Sequence, residues 1–299
     1  MRKLTYTVTE QDADRAVRDV VPRRFSLGAH AYRRLKVLEA IRIAGTPVRA
    51  SYRLSAGEVI EVLLPDDEAQ SVASSAEALS GPPSFIRYQD EDLFVIAKGA
   101  PLATLPSAHI KSGTLREQLI AMLGAQEATF VYHPVNRLDK GTSGLLVIAR
   151  HAHSQRLLSA QLHTGGFIRE YLAVTEGVPK DAQGVIRAPI AKEGEGAKRC
   201  VRENGKPAVT HYRVEQTAGN RALVRLRLET GRTHQIRVHM AHIGCPLVGD
   251  YLYGQEEAQL PGRFALHSAF LSLTQPITHE RIEIAEPLPD SLAALLHQA

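Results

Sequence analysis

Along the chain, apolar residues alternate between runs that suit strands and spacings that suit helices. Leu93-Phe-Val-Ile-Ala97 and Leu145 to Ala149 are continuous apolar runs and predict buried strands. Phe167 to Thr175 predicts a further strand, on which alternation puts Tyr171 on the face shared with Arg169 and Ala173. Ala208 to Glu215 and Arg221 to Glu229 flank Gly219-Asn220 and predict an antiparallel hairpin. Helices are predicted from Thr114-Leu-Arg-Glu117, a capping box, and over Ser154 to His163, stopped by Gly165-Gly166. Another is predicted over Arg232 to Ile243, ended by Gly244. At ~100° per residue, Ile236, Met240 and Ile243 share one face of that helix. His234, Arg237 and Ala241 share another. Strands with interspersed helices predict an α+β fold rather than a doubly wound one.

The first 65 residues carry their own pattern. Ala13 to Val21 and Ala29 to Ile43 read as helices, Ile43 to Val48 as a strand and turn, and Leu54 to Leu64 as a turn and strand. Residues 66–84 are acidic, rich in small residues and closed by Gly81-Pro-Pro83. That composition suits an interdomain linker and also allows a short helix at 74–79. The resulting division is a module over 1–66, a linker over 67–86 and a larger domain over 87–299.

Charge adds a direction to this division. The net charge is +4. Residues 1–60 hold 12 Arg and Lys against 6 Asp and Glu, hence +6, which leaves −2 for the rest. A basic module of this size suits a phosphate backbone, and equally suits a solvated surface. Arg33, Arg34 and Lys36 are its candidate phosphate-backbone contacts. The two cysteines, Cys200 and Cys245, have no paired spacing, which argues against a disulfide framework or a four-cysteine zinc site. No run approaches the ~18 apolar residues of a spanning helix, so a cytoplasmic protein is expected.

The candidate chemistry centres on Asn136-Arg-Leu-Asp-Lys-Gly-Thr-Ser-Gly144. Asp139 lies in a polar, glycine-flanked loop before a buried strand, among Arg137, Lys140, Thr142 and Ser143. Neighbours of this kind favour an ionised, nucleophilic carboxylate, although an Asp making a turn gives the same local pattern. Arg237, on a helix anchored by its apolar face, could aim a planar fork at a carboxylate. His234, His239, His242 and Cys245 invite a zinc reading, but His234 and His239 point about 140° apart and no His-Glu-x-x-His motif is present, so no metal is expected. No phosphate loop, dinucleotide fingerprint or serine elbow occurs, and His133 has no positioned partner in sequence.

Several stretches in series then carry a resemblance. Asn136 to Gly144, Arg169-Glu-Tyr171, Gly205 to Thr210, Thr230-Gly-Arg-Thr-His-Gln-Ile-Arg-Val-His239, Gly244 to Gly254 and Ala265-Leu-His-Ser268 occur in that order. The series resembles the RluA/RluD-type pseudouridine synthases over about residues 90–295. That resemblance implies a mixed, largely antiparallel sheet and an isomerase that detaches uracil from its ribose, turns it and rejoins it through carbon 5. It implies no cofactor and a monomer. By the same resemblance Asp139 is the nucleophile, Tyr171 lies against the target base with proton acceptor as a second role open to it, and Arg237 holds Asp139. Arg137 fills the space left by the flipped nucleotide, and Thr142, Arg232 and His234 join it in binding substrate. Asn136 stands where the family commonly has His, and Lys98-Gly-Ala-Pro101 replaces its usual Lys-Pro-x-Gly. The N-terminal module resembles the small alpha-L RNA-binding domain, with Gly57 and the aliphatics after it as the best matching element. Together these imply an RNA partner, ribosomal RNA ahead of transfer RNA. The retained Asp139, Tyr171 and Arg237 weigh against a noncatalytic RNA-binding or ribosome-assembly factor. A glycoside hydrolase would need a second positioned carboxylate, and none accompanies the Asp139 motif.

Overall fold

The computed structural model describes residues 1–65, 85–107, 110–124 and 130–297. The predicted short helix and residues 67–84 of the predicted linker lie outside the described residues, while Ile86, the linker's predicted last residue, already begins a strand. The chain divides into two compact units, Met1–Ala69 and Gln70–Ala299.

The first unit is a four-stranded antiparallel sheet with two helices. Its elements are β1 (Arg2–Thr7), α1 (Val17–Arg24), α2 (Ala29–Val37), β2 (Ile41–Ile43), β3 (Thr46–Pro47) and β4 (Val59–Leu64), in sheet order β1-β4-β2-β3. Strand β1 is an addition to the predicted helix-helix-strand-strand order. Helix α1 starts four residues later than its pattern suggested, after Asp14 in left-handed backbone (φ 60°), and runs on to Arg24, while α2 stops at Val37, ahead of left-handed Glu39 (φ 51°), well short of its predicted end. Leu4, Val20, Leu35, Ile60 and Val62 are buried, as their spacings require. One buried carboxylate organises the charge: Asp12 accepts hydrogen bonds from Tyr6 Oη (2.7 Å), Arg15 (3.1 Å), Arg23 (3.2 Å) and Arg24 (2.6 Å). Arg33, Arg34 and Lys36 are exposed on α2.

The second unit is built on a ten-stranded sheet. It comprises β5 (Ile86–Gln89), β6 (Leu93–Lys98), α3 (Leu115–Gly124), β7 (His133–Pro134), β8 (Ser143–Ala149), α4 (Ala152–Gln161), β9 (Ile168–Glu176) and β10 (Gln183–Arg187). After these come the β11 (Ile190–Lys192) and β12 (Arg199–Val201) pair, β13 (Val209–Ala218), β14 (Arg221–Leu228), α5 (Gln235–His242), β15 (Leu266–Thr274), β16 (Arg281–Ala285) and α6 (Asp290–Ala293). The order is β10-β13-β14-β9-β15-β8-β6-β5, with β16 on β15 and β7 on β8. The β15–β8 pairing is parallel and the others are antiparallel, giving the expected mixed, largely antiparallel α+β sheet.

The continuous apolar runs follow from burial on both faces. Phe94, Ile96, Leu146 and Ile148 pack with Leu119 of α3 and Ile236 and Met240 of α5. Leu93, Val95, Leu145 and Val147 pack on the opposite face with Leu158 of α4. The β13–β14 hairpin turns at Gly219 (φ 51°), as predicted. Half of the predicted capping box forms: the Thr114 N–H donates to Glu117 Oε2 (3.1 Å).

Candidate active site

Asp139 follows from where the sheet closes. Gly144, at the start of β8, has φ +102°, and a Cβ there would lie 2.2 Å from the Ser268 carbonyl oxygen. Only glycine lets β8 approach β15 so closely. The loop before it is held at Gly141, where a Cβ would meet the Phe264 ring at 2.7 Å. The Thr142 N–H donates to the Asp139 carbonyl (3.0 Å), so the residue does make a turn as well as present a carboxylate. From below, Lys98 Nζ donates to the carbonyls of Gly99 (2.8 Å), Leu102 (2.7 Å) and Lys140 (3.4 Å). Burial lowers Lys98 to about 7, with the Asp139 charge opposing the shift and Arg263 adding to it.

Asp139 opens onto a cleft of about 590 Å³. Arg137, Thr142, Tyr171, Arg232, His234 and Arg237 line the same cleft, so every residue the sequence proposed for this site converges there. Tyr171 arrives on β9 and is buried. Burial pushes its phenol above the usual tyrosine range, with the Arg169 charge opposing and the Asp139 charge adding to it.

Helix α5 places Arg237, but the pairing differs from the sequence expectation. Arg237 is 2% exposed, and its fork is taken by Asp250: Nε donates to Oδ2 (2.8 Å) and Nη2 to Oδ1 (2.7 Å). The third nitrogen, Nη1, lies 3.9 Å from Asp139 Oδ2. Asp139 keeps a third of its side chain exposed, whereas Asp250 has none. The guanidinium also stacks on Phe264 (4.1 Å to the ring centre) and Tyr253 (4.9 Å). Burial alone would depress Arg237, but the Asp250 hydrogen bonds and the two carboxylate charges outweigh it and raise it. So a second carboxylate does stand near Asp139. It is bound to Arg237, which leaves it no freedom to act as a glycosidase acid or base.

His234 precedes α5 in left-handed backbone (φ 58°). Its Nδ1 bonds Tyr253 Oη (2.8 Å), and its Nε2 lies 4.0 Å from Asp139 Oδ2. Burial holds its pKa below the usual imidazole value, with Asp139 opposing and Arg237 reinforcing the shift. His239 points elsewhere: its ring bonds Thr210 Oγ1 (2.8 Å) and the Ala188 carbonyl (2.9 Å), so both nitrogens are engaged in the core. Asp250 and Phe264 were not singled out by sequence, and Lys98 entered only as part of the Lys98-Gly-Ala-Pro101 departure. The run Gly249-Asp-Tyr-Leu-Tyr-Gly254 was visible, but its partner was not.

The profile of the RNA pseudouridylate synthase family matches residues 92–242. The chain belongs to the RNA pseudouridylate synthase family. Within that family it is 36% identical over 258 residues to the Uncharacterized RNA pseudouridine synthase YjbO of Bacillus subtilis (strain 168), covering 86% of this chain and 89% of the relative. It is 40% identical over 226 residues to the Ribosomal large subunit pseudouridine synthase D of Pseudomonas aeruginosa, covering 71% and 70%. The solved structure of Human RNA Pseudouridylate Synthase Domain Containing 4 superposes with a TM-score of 0.59 at 25% identity, covering 71% of this chain and 92% of that one. This pseudouridylate synthase is accordingly an isomerase acting on uridine in RNA. No helix among the described residues is long and apolar enough to cross a membrane.

Proposed function

We propose that this chain isomerises specific uridines of ribosomal RNA to pseudouridine, with Asp139 as the nucleophile. The observation that carries the reading is Asp139 itself, a partly exposed carboxylate at an open cleft, 3.9 Å from a guanidinium already fixed by another acid. Such an arrangement stabilises the anion without quenching it, because Asp250 takes the strong bidentate contact. Attack by Asp139 on the flipped nucleotide lets the nitrogen–carbon glycosidic bond break. The uracil turns, a bond forms from carbon 5 to the ribose as the bond to Asp139 breaks and frees its carboxylate, the carbon 5 proton passes to water in the open cleft, and the ring nitrogen takes one up. Atoms and charge balance with no added reactant. Tyr171 supplies the surface on which the base turns. Arg137, exposed beside the nucleophile, occupies the gap in the RNA stack, which offsets part of the few kcal/mol that flipping costs. Thr142, Arg232 and His234 line the substrate's path.

Ribosomal RNA is favoured over transfer RNA because relatives of this chain are named for the large ribosomal subunit. The first unit is an RNA-binding module of the alpha-L kind, and Arg33, Arg34 and Lys36 on α2 are its contacts. The protein works as a monomer in the cytoplasm. Pseudouridine mapping of total RNA, with and without the protein, tests the substrate. Asp139→Asn should fold and bind RNA yet form no pseudouridine; turnover by that variant removes Asp139 as nucleophile.

A further inference from the structure

One buried cation of the cleft has no partner. Arg169 lies on β9 two residues before Tyr171, so both side chains reach the same face of the sheet. Its side chain is 8% exposed and lines the cleft. Among the described residues its guanidinium has neither an ion pair nor a hydrogen bond, and its Nε is fully buried without an acceptor. One end nitrogen rests against Gly231, where a Cβ would come within 3.1 Å. Asn136 lines the same cleft, 8% exposed. Its Oδ1 accepts the Val147 N–H (2.9 Å), while its Nδ2 is buried with no partner.

A buried guanidinium is costly unless a counter-charge meets it. The neighbouring Arg237 satisfies that rule through Asp250. Among the described residues Arg169 has no equivalent acid, which leaves the ligand as the source of the missing charge. A uracil carbonyl would accept one hydrogen bond and leave the charge uncompensated. A phosphate supplies both charge and oxygens, in the geometry that a guanidinium fork matches. We propose that Arg169, assisted by the free amide of Asn136, binds a phosphodiester of the RNA strand next to the flipped nucleotide. This rests on the reading of RNA as substrate. It makes Arg169 a substrate-positioning residue that registers the strand, distinct from the groups at the reacting atoms.

The test uses the full chain and a synthetic 20-nucleotide RNA spanning the mapped uridine. Arg169→Gln should raise the half-saturating RNA concentration about tenfold and leave the saturated single-turnover rate within about threefold. The slope of log affinity against log salt should fall by about 0.7 to 1, the value for one phosphate contact. Arg169→Lys should restore the slope but not the full affinity. A neutral methylphosphonate at one linkage beside the target should weaken the wild type about tenfold and leave Arg169→Gln unaffected. The proposal is overturned if the wild type tolerates a methylphosphonate at every linkage within two nucleotides of the target. It is also overturned if Arg169→Gln loses the saturated rate at unchanged half-saturation and slope, which would make Arg169 a brace for Tyr171. Should Arg169→Gln not fold, the methylphosphonate scan on the wild type decides alone. Filter retention of purified large-subunit ribosomal RNA across a salt series reads the slope without turnover. Failure of the isomerase reading would therefore show as absent pseudouridine with an intact slope difference.

Discussion

Arg237→Met removes a buried guanidinium and leaves Asp250, fully buried, without its cation. Breaking a buried pair by deleting one partner costs about 3–5 kcal/mol. Loss of the stacking on Phe264 and Tyr253 adds about 1 kcal/mol. The N–H groups of Leu252 (3.1 Å) and Tyr253 (3.3 Å) still reach Asp250 Oδ1 and soften the penalty. The expected loss is about 4 kcal/mol, or roughly 10 °C in Tm at about 2–4 °C per kcal/mol for a domain of this size. The chain has no Trp, so far-UV circular dichroism under urea is the suitable readout. A double-mutant cycle separates the two acids. Coupling between Arg237→Met and Asp250→Asn should reach about 3 kcal/mol. Coupling to Asp139→Asn should stay near or below about 1 kcal/mol, because that contact is 3.9 Å long and partly solvated. Destabilisation below about 1 kcal/mol, or a stronger coupling to Asp139 than to Asp250, would refute this account of the pair.

Gly144→Ala should cost about 4 kcal/mol or more and yield little folded protein, since it combines a left-handed backbone with a Cβ inside the Ser268 carbonyl; a variant melting within 2 °C of the wild type (~1 kcal/mol) would contradict the packing. His153 is held down to about 4, chiefly by burial and then by Arg156 and His151, and neither ring nitrogen has a partner. The unfolded chain, titrating near 6.5, binds more protons between pH 6.5 and 4, so this group costs stability progressively as pH falls through that window and no further below it. His153→Phe should therefore flatten the stability profile by up to about 2–3 kcal/mol between pH 6.5 and 4 and change little above pH 7, checked by urea melts across that range. Replacing Arg33, Arg34 and Lys36 together by Gln should lower the salt slope of RNA binding by about 2; an unchanged slope would remove α2 as a phosphate contact.

The catalytic strands were legible because burial on both faces leaves unbroken apolar runs, as in Leu145 to Ala149. The β13–β14 hairpin and α5 were legible from period and glycine. The ends of α1 and α2 were not, since Asp14 and Glu39 turn left-handed without the glycine that normally announces it. Strand β1 escaped notice because only Leu4 of its six residues is buried. At the site, Asp139, Tyr171 and Arg237 were recognisable by type and motif. Asp250 was not, because the pairing depends on how the chain after α5 folds back under the helix. Arg169 carried one usable sign, its place two residues before Tyr171 on the same strand face.

The parallel seam between β8 and β15 has a consequence for the life of the enzyme. Ser143 and His267, bonded across it at 2.9 Å, are 124 residues apart in the chain. Closing a loop of that length carries a larger entropy cost than the local hairpins of the same sheet, and the seam joins the loop carrying Asp139 to the strand that follows Phe264. The nucleophile's loop is therefore tied to a contact of long sequence separation, so its geometry depends on the whole sheet rather than on its own segment.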